Sequence, residues 1–221
     1  MRYILEVELK SETVFGSGNA VSGVVDQEIL HDAYGFPYMK GKTIKGKLKE
    51  EFAHVLWCLS KGEKGIEDPA VEELFGAPSS NNDAVLKFSD LCINKKIRQL
   101  FKEKIEEKSL NARDVLNAST DIRNFTSIDY SKGVAKKGFL RRIRVMRSGL
   151  YFYGAIDSDR DLSEREEQLL AMAAASLKHL GTMETRGKGY VKVCLFKESD
   201  DLTKESIEKL IKGDLHEISV F

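Results

Sequence analysis

The feature that most restricts what this chain can fold into is residues 23–52, one stretch that passes from extended chain to helix through a turn-rich loop. Tyr34-Gly35-Phe36-Pro37 reads as a turn and Gly41 as a break. Behind Thr43, the expected N-cap, Ile44, Leu48, Phe52, Val55, Leu56 and Leu59 recur at helical spacing. That apolar face requires a sheet to pack on. The opposite face and its approach carry Lys40, Lys42, Lys45, Lys47 and Lys49 with no acid among them. A helix N-terminus and clustered lysines both favour an anion, phosphate above all. A solvated lysine face is the plainer alternative.

The flanking sequence supplies the sheet. Tyr3, Leu5, Val7 and Leu9 alternate with Ile4, Glu6 and Glu8, the period of a strand with one buried face. Phe15-Gly16-Ser17-Gly18 reads as a flexible turn. Residues 60–83 are polar and turn-rich and are expected to lie outside the core, followed by a short strand near 85–93. Residues 95–110 form a charged helix. Residues 121–147 read as a long hairpin arm with a Ser131-Lys132-Gly133 turn near its tip and too few apolar positions to be core. Residues 149–156 return as a buried strand. Ser163 and Glu166 form a capping box before Leu169, Leu170, Ala173, Leu177 and Leu180. A glycine-rich loop, a strand with Val191, Val193 and Leu195, a helix near 203–212 and a strand near 215–220 complete the pattern. Without its excursions the order is strand, helix, strand, strand, helix, strand. The expected fold is therefore α+β, a ferredoxin-like or RRM-like single domain over 1–221, with an insertion at about 60–83 and a helix plus projecting hairpin at about 95–147.

Composition narrows the function classes. The 221 residues can bury a core unaided, and Lys plus Arg balances Asp plus Glu at 35 each, so only local charge can argue for nucleic acid. That distribution is uneven: Tyr130 to Ile156 contains no acid, while Lys132, Lys136, Lys137, Arg141, Arg142, Arg144 and Arg147 crowd into it. Phe125, Tyr130 and Phe139 are interleaved, as in proteins that track a backbone and wedge against bases; a solvated hairpin or a subunit contact is the alternative. Cys58, Cys92 and Cys194 sit apart in apolar patterns, which suits buried thiols in a reducing compartment rather than metal ligands. No apolar run approaches membrane-spanning length, and a cytoplasmic protein is expected.

The candidate chemistry is sparse. In Thr185-Arg186-Gly187-Lys188-Gly189-Tyr190 the glycines admit close backbone approach and the cations suit phosphate, although a turn needing positive φ explains the glycines equally. His54, His179 and His216 read as structural. His31, beside Asp32, is a conceivable general acid or base without a partner nucleophile. Asp26 follows Val24-Val25 in the loop that also holds Glu28, and its residues alone favour a turn-capping role.

Taken together, four motifs resemble the RAMP superfamily of CRISPR proteins. They are residues 23–32 with 35–49, Leu74-Phe75-Gly76 with Leu86 to Asp90, residues 126–140 with 149–154, and Thr185 to Tyr190. The order and length are similar to the small Csm-type backbone subunit of type III effector complexes. The resemblance implies copies of the chain stacked along a guide RNA beside other effector subunits, with each hairpin acting as a thumb that displaces a nucleotide of the guide:target duplex. It implies catalysis of target-RNA cleavage by Asp26, which would also hold Mg²⁺ or another divalent cation. It places guide contacts at Lys42, Thr43, Lys45 and Lys49, at Arg123, Lys136, Lys137 and Arg141 of the arm, and at Arg186, Gly187, Lys188 and Gly189. Guide pairing reads sequence, so local basicity on a neutral chain is enough. The alternatives are a purely structural subunit without nuclease activity, or a guide-processing endoribonuclease using His31.

Overall fold

The computed structural model describes residues 1–76, 84–129, 131–136 and 138–212. In chain order the elements are β1 (Arg2–Leu9), β2 (Tyr38–Met39), α1 (Gly41–Leu59), α2 (Pro69–Phe75), β3 (Leu86–Phe88), β4 (Leu91–Cys92), α3 (Lys95–Glu106), α4 (Ala112–Ser119), β5 (Thr120–Phe125), β6 (Ile128–Asp129), β7 (Val134–Ala135), β8 (Arg141–Met146), β9 (Tyr151–Ser158), α5 (Glu164–Ser176), β10 (Val191–Lys197), β11 (Asp200–Asp201) and α6 (Leu202–Lys212). This is an α+β fold.

The main sheet runs β11-β10-β1-β9-β4-β2, with β3 also on β9, and every pairing is antiparallel. Central β1 lies between Val191–Lys197 and Tyr151–Asp157 in continuous register. Its alternation behaves as the sequence demands: Tyr3, Leu5, Val7 and Leu9 are buried, while Glu6 faces Tyr153 and Cys194 in the neighbouring strands on the uncovered side. Over the buried face lie α1, through Ile44, Leu48, Phe52, Val55 and Leu56, and α5, through Leu170, Ala171, Ala173 and Ala174. Each large apolar side chain buried there contributes about 1.5–3 kcal/mol. The capping box at Ser163 and Glu166 forms as expected.

Several expectations change. The N-cap of α1 is Lys40, two residues after Tyr38, and Thr43 lies in the first helical turn. The helix starts early because Asp90 Oδ1 accepts the Gly41 N–H at 2.7 Å, doing the work assigned to a threonine side chain. Gly41 is required there, since a Cβ would come within 2.4 Å of Phe88 O. Phe15 belongs to the core, edge-on to Phe152 at 5.4 Å, because Gly16 and Ser17 pair with Ile29 and Glu28 rather than turning freely. Residues 60–83 do not lie wholly outside the core: α2 buries Val71, Leu74 and Phe75 behind an Asp68 cap. The strand near 85–93 is two short strands along β9, interrupted where Ser89 Oγ accepts from Ala155 N at 2.8 Å.

Helix α3 forms as expected and buries no residue, whereas α4, held by an Asn111/Asp114 capping box, is an element not expected from the sequence. Cys58 is exposed and Cys92 and Cys194 are half-buried, all three free. No helix among the described residues is long and apolar enough to cross a membrane. The expected strand near 215–220 and His216 fall outside the described residues.

Residues 120–146 make an antiparallel hairpin, Thr120↔Met146 to Phe125↔Arg141, extended by β6 and β7. Most of the described residues in its outer half are exposed. Its base is not: Ile143, Val145 and Met146 are buried, and Met146 exchanges backbone hydrogen bonds with Thr13. The arm is thus anchored in the core by the apolar end of β8, which the basic run obscured in the sequence.

Candidate nucleic-acid interface

The loop before β2 runs alongside β8. Asp26 N–H donates to Arg142 O at 2.8 Å, Arg142 N–H donates to Asp26 Oδ2 at 2.7 Å, and Arg144 N–H donates to Gln27 O at 3.1 Å. The parallel bridge Gln27↔Ile143 holds this register. Asp26 is consequently fixed in backbone yet exposed, and its Oδ1 accepts no hydrogen bond among the described residues.

The other acids of the loop are committed. Glu28 is buried and paired with Arg144, whose Nε lies 2.8 Å from Oε1 and whose Nη1 donates to Thr120 Oγ1 at 3.1 Å. Asp32 Oδ1 accepts the Tyr34 and Phe36 N–H groups, and Oδ2 accepts from Arg98 Nη2 at 2.6 Å. His31 is exposed, with Nδ1 3.0 Å from Asp32 O. Of the three carboxylates, Asp26 alone presents an oxygen without a partner among the described residues.

The expected cations converge only in part. Lys47 lies 3.9 Å from Glu184 at the start of the short turn of helix in the glycine-rich loop, and Gln27 Nε2 donates to Thr182 Oγ1 at 3.5 Å. Glu12, which carries no local motif to single it out, pairs with Arg123 from β5 and Lys188 from the glycine-rich loop. Arg123, with help from Lys188, holds the Glu12 carboxyl below its usual range. These links join α1, the glycine-rich loop, the Asp26 loop and the hairpin base into one strip. Arg186 is exposed on it, whereas Arg123 and Lys188 have their charges already balanced.

Within the glycine-rich loop the two glycines differ. A Cβ at Gly189 would come within 2.4 Å of Leu180 O, so it serves close packing; Gly187 has positive φ with open space around it. On α1, Lys42 and Thr43 are exposed at the N-terminus, where Asp90 already occupies one anion position. Lys49 Nζ donates to Gly76 O at 2.8 Å. Lys45 is half-buried, makes no ion pair among the described residues, and has its ammonium pKa pushed down by burial and then by Lys49. Such a cation gains most from an incoming anion. On the hairpin, Arg141 is exposed and Lys136 Nζ sits 4.4 Å over the Phe139 ring. Lys137 and Tyr130 lie outside the described residues.

The divalent-cation expectation meets a sparse donor set. Among the described residues no three His, Cys, Asp or Glu side chains group as metal ligands. The free Asp26 oxygen fits a hydrated Mg²⁺, which takes one or two carboxylates and fills its remaining positions with water and phosphate oxygens.

The RAMP superfamily model matches residues 6–192. No curated protein matches the chain. Among solved structures, a chain of a type III-B Cmr-beta complex bound to cognate target RNA aligns with TM-score 0.63 at 14% identity, covering 93% of this chain and 98% of that one. A chain of the apo Cmr-beta complex aligns with TM-score 0.65 at 14% identity, covering 90% and 99%. At that identity the likeness is one of fold.

Proposed function

The chain belongs to the RAMP superfamily, and on that premise we propose that it is a guide-RNA-binding backbone subunit of a type III CRISPR effector complex that cleaves target RNA through Asp26. The observation that carries the reading is the free Oδ1 of Asp26, on a backbone fixed to β8, in a loop whose other acids are spent on structure. Arg186, exposed on the strip that joins α1, the glycine-rich loop and the Asp26 loop, and the α1 lysines Lys42 and Lys45 suit a phosphodiester backbone. The antiparallel order β10-β1-β9, with β3 and β4 on the other side of β9, supports the ferredoxin-like reading, and the hairpin of β5 to β8 is the proposed thumb.

In this account the hairpin forces one target nucleotide out of the stack, and its 2′-hydroxyl swings toward line with the adjacent phosphate, so geometry supplies much of the barrier reduction. Asp26 holds its carboxylate at that phosphate, and the Arg142 amide fixes the carboxylate's orientation. A divalent ion bound through Asp26 would supply charge stabilisation at the reacting phosphate. Partners are guide RNA, target RNA, other effector subunits and further copies of the chain.

A purely structural subunit is the competing reading, favoured by the use of Asp26 Oδ2 as an acceptor for the Arg142 N–H. A histidine-based guide-processing enzyme, with His31 as general acid or base, is disfavoured by the long basic hairpin of β5 to β8. Purified complex with matched target RNA separates the three. Under EDTA, cleavage stops in the proposed reading and continues for a histidine enzyme; the structural subunit never cuts.

A further inference from the structure

Trp57, the chain's one tryptophan, is 52% exposed in the last turn of α1, and Ile66 in the loop that follows is 53% exposed. Both line a cleft of about 490 Å³ between the end of α1 and the start of α2. Adjacent exposed apolar groups mark a docking surface more often than scattered ones, and tryptophan is among the residues that carry most of the energy of protein interfaces. The cleft is already built. Gly62 N–H and Ser60 Oγ donate to Trp57 O at 2.9 and 3.2 Å, and Ser60 Oγ accepts the Lys64 N–H at 2.9 Å. Gly62, at φ +95°, lies against the indole, where a Cβ would stand 3.5 Å from Nε1. A partner therefore meets a fixed wall rather than a loop that it must order.

Charge gives the occupant. Lys64 and Asp68 offset one another at 3.9 Å, which leaves Glu63 and Glu67 exposed and without an ion pair among the described residues. Lys61 is exposed nearby but does not line the cleft. Helix α1 adds to the same sign: its C-terminus carries partial negative charge, and no basic residue stands in its last turn to offset it. The phosphate-seeking Lys42 and Lys45 lie about 20 Å back along the helix, at ~1.5 Å per residue. The cleft's carboxylates repel a phosphate backbone, so RNA is not its ligand. The indole favours the same charge, since tryptophan is the best aromatic partner for a cation. The chain sets Arg98 over Phe36, Lys102 over Tyr34 and Lys136 over Phe139, yet no cation of the described residues lies over Trp57. We propose that this cleft docks an arginine presented by a partner protein, its stem along Ile66, its guanidinium over the indole and its N–H groups toward Glu63 and Glu67. Arginine suits the cleft better than lysine, because its planar, weakly hydrated head stacks on a ring while its edge donates to carboxylates. The proposal holds whether or not Asp26 cuts RNA.

The test reads Trp57 emission in the full-length chain, where no other indole contributes. A short capped peptide of arginine, leucine and glycine is titrated against counterparts carrying lysine or glutamate in place of arginine, and against single-stranded RNA. The arginine peptide should shift the emission saturably and the lysine peptide should bind more weakly, while the glutamate peptide and the RNA leave it unchanged. Glu63→Gln combined with Glu67→Gln should weaken arginine-peptide binding about fivefold, the scale of two surface ion pairs. Trp57→Leu, followed by the anisotropy of a labelled peptide, should also weaken it. These side chains are exposed, so thermal unfolding should be unchanged in both variants. An arginine peptide that leaves Trp57 emission unmoved overturns the proposal. So does wild-type affinity in either variant, or a lysine peptide that binds as tightly. RNA that shields the indole would assign the cleft to nucleic acid and overturn it as well.

Discussion

Along β8 the chain sets two acid–arginine contacts two residues apart that differ in every physical respect. Asp26 meets Arg142 through a backbone amide, in the open, with one oxygen unused. Glu28 meets Arg144 side chain to side chain, both buried and further satisfied by Ile29 N–H and Thr120 Oγ1. The lesson is that charge type does not assign the role of a loop acid. Burial and the count of satisfied oxygens do: the inner pair is a structural rivet, and the outer carboxylate is available for chemistry.

The contrast is broken most directly from the inner side. Glu28→Ala leaves Arg144 buried and unpaired and should cost about 3–5 kcal/mol. Thermal unfolding should then fall by roughly 10 °C. Replacing both partners by apolar residues of similar size should recover most of that loss, and a Glu28→Ala protein as stable as wild type would remove the distinction.

A smaller effect sharpens the outer side. Lys45→Ala removes a half-buried cation with no ion-pair partner among the described residues. RNA affinity should drop equally for all sequences, and the salt dependence of binding should flatten by about one charge. The ammonium pKa, depressed by burial and Lys49, should rise when RNA binds. Loss of affinity for only some sequences would show that Lys45 reads bases. Smallest of all, replacing residues 130–133 by a two-residue turn should shift stability by no more than about 0.5 kcal/mol, because Ser131 to Gly133 carry no core contact. A cooperative loss of structure would mean that the hairpin tip supports the sheet.

Elements whose information is local were legible in the sequence. The β1 alternation, the α1 stripe and the Ser163/Glu166 box each specify themselves within a dozen residues, and the structure repeats them. Asn111 and Asp114 carried an equally local signal for α4, masked by the charged run before it. Pairings across the chain were not legible. Glu28 finds Arg144, Glu12 gathers Arg123 and Lys188, and Asp90 caps α1, each through sheet and hairpin registers that no short window contains. That is why Arg123 and Lys188 read as free cations and Arg144 as one more member of a basic arm. Asp26 was distinguished from Glu28 only by family resemblance; its free oxygen is a property of the fold.

The central claim is tested by Asp26→Ala in the guide-RNA complex, with matched target RNA and Mg²⁺. The substitution removes one exposed hydrogen bond to Arg142 and no core contact, so folding, guide binding and target capture should persist. Cleavage should fall by about 10²–10³-fold or more, the scale seen when one preorganised charge-stabilising group is lost. An Asp26→Ala complex that cuts its target at the wild-type rate would contradict the account and leave a structural subunit in its place.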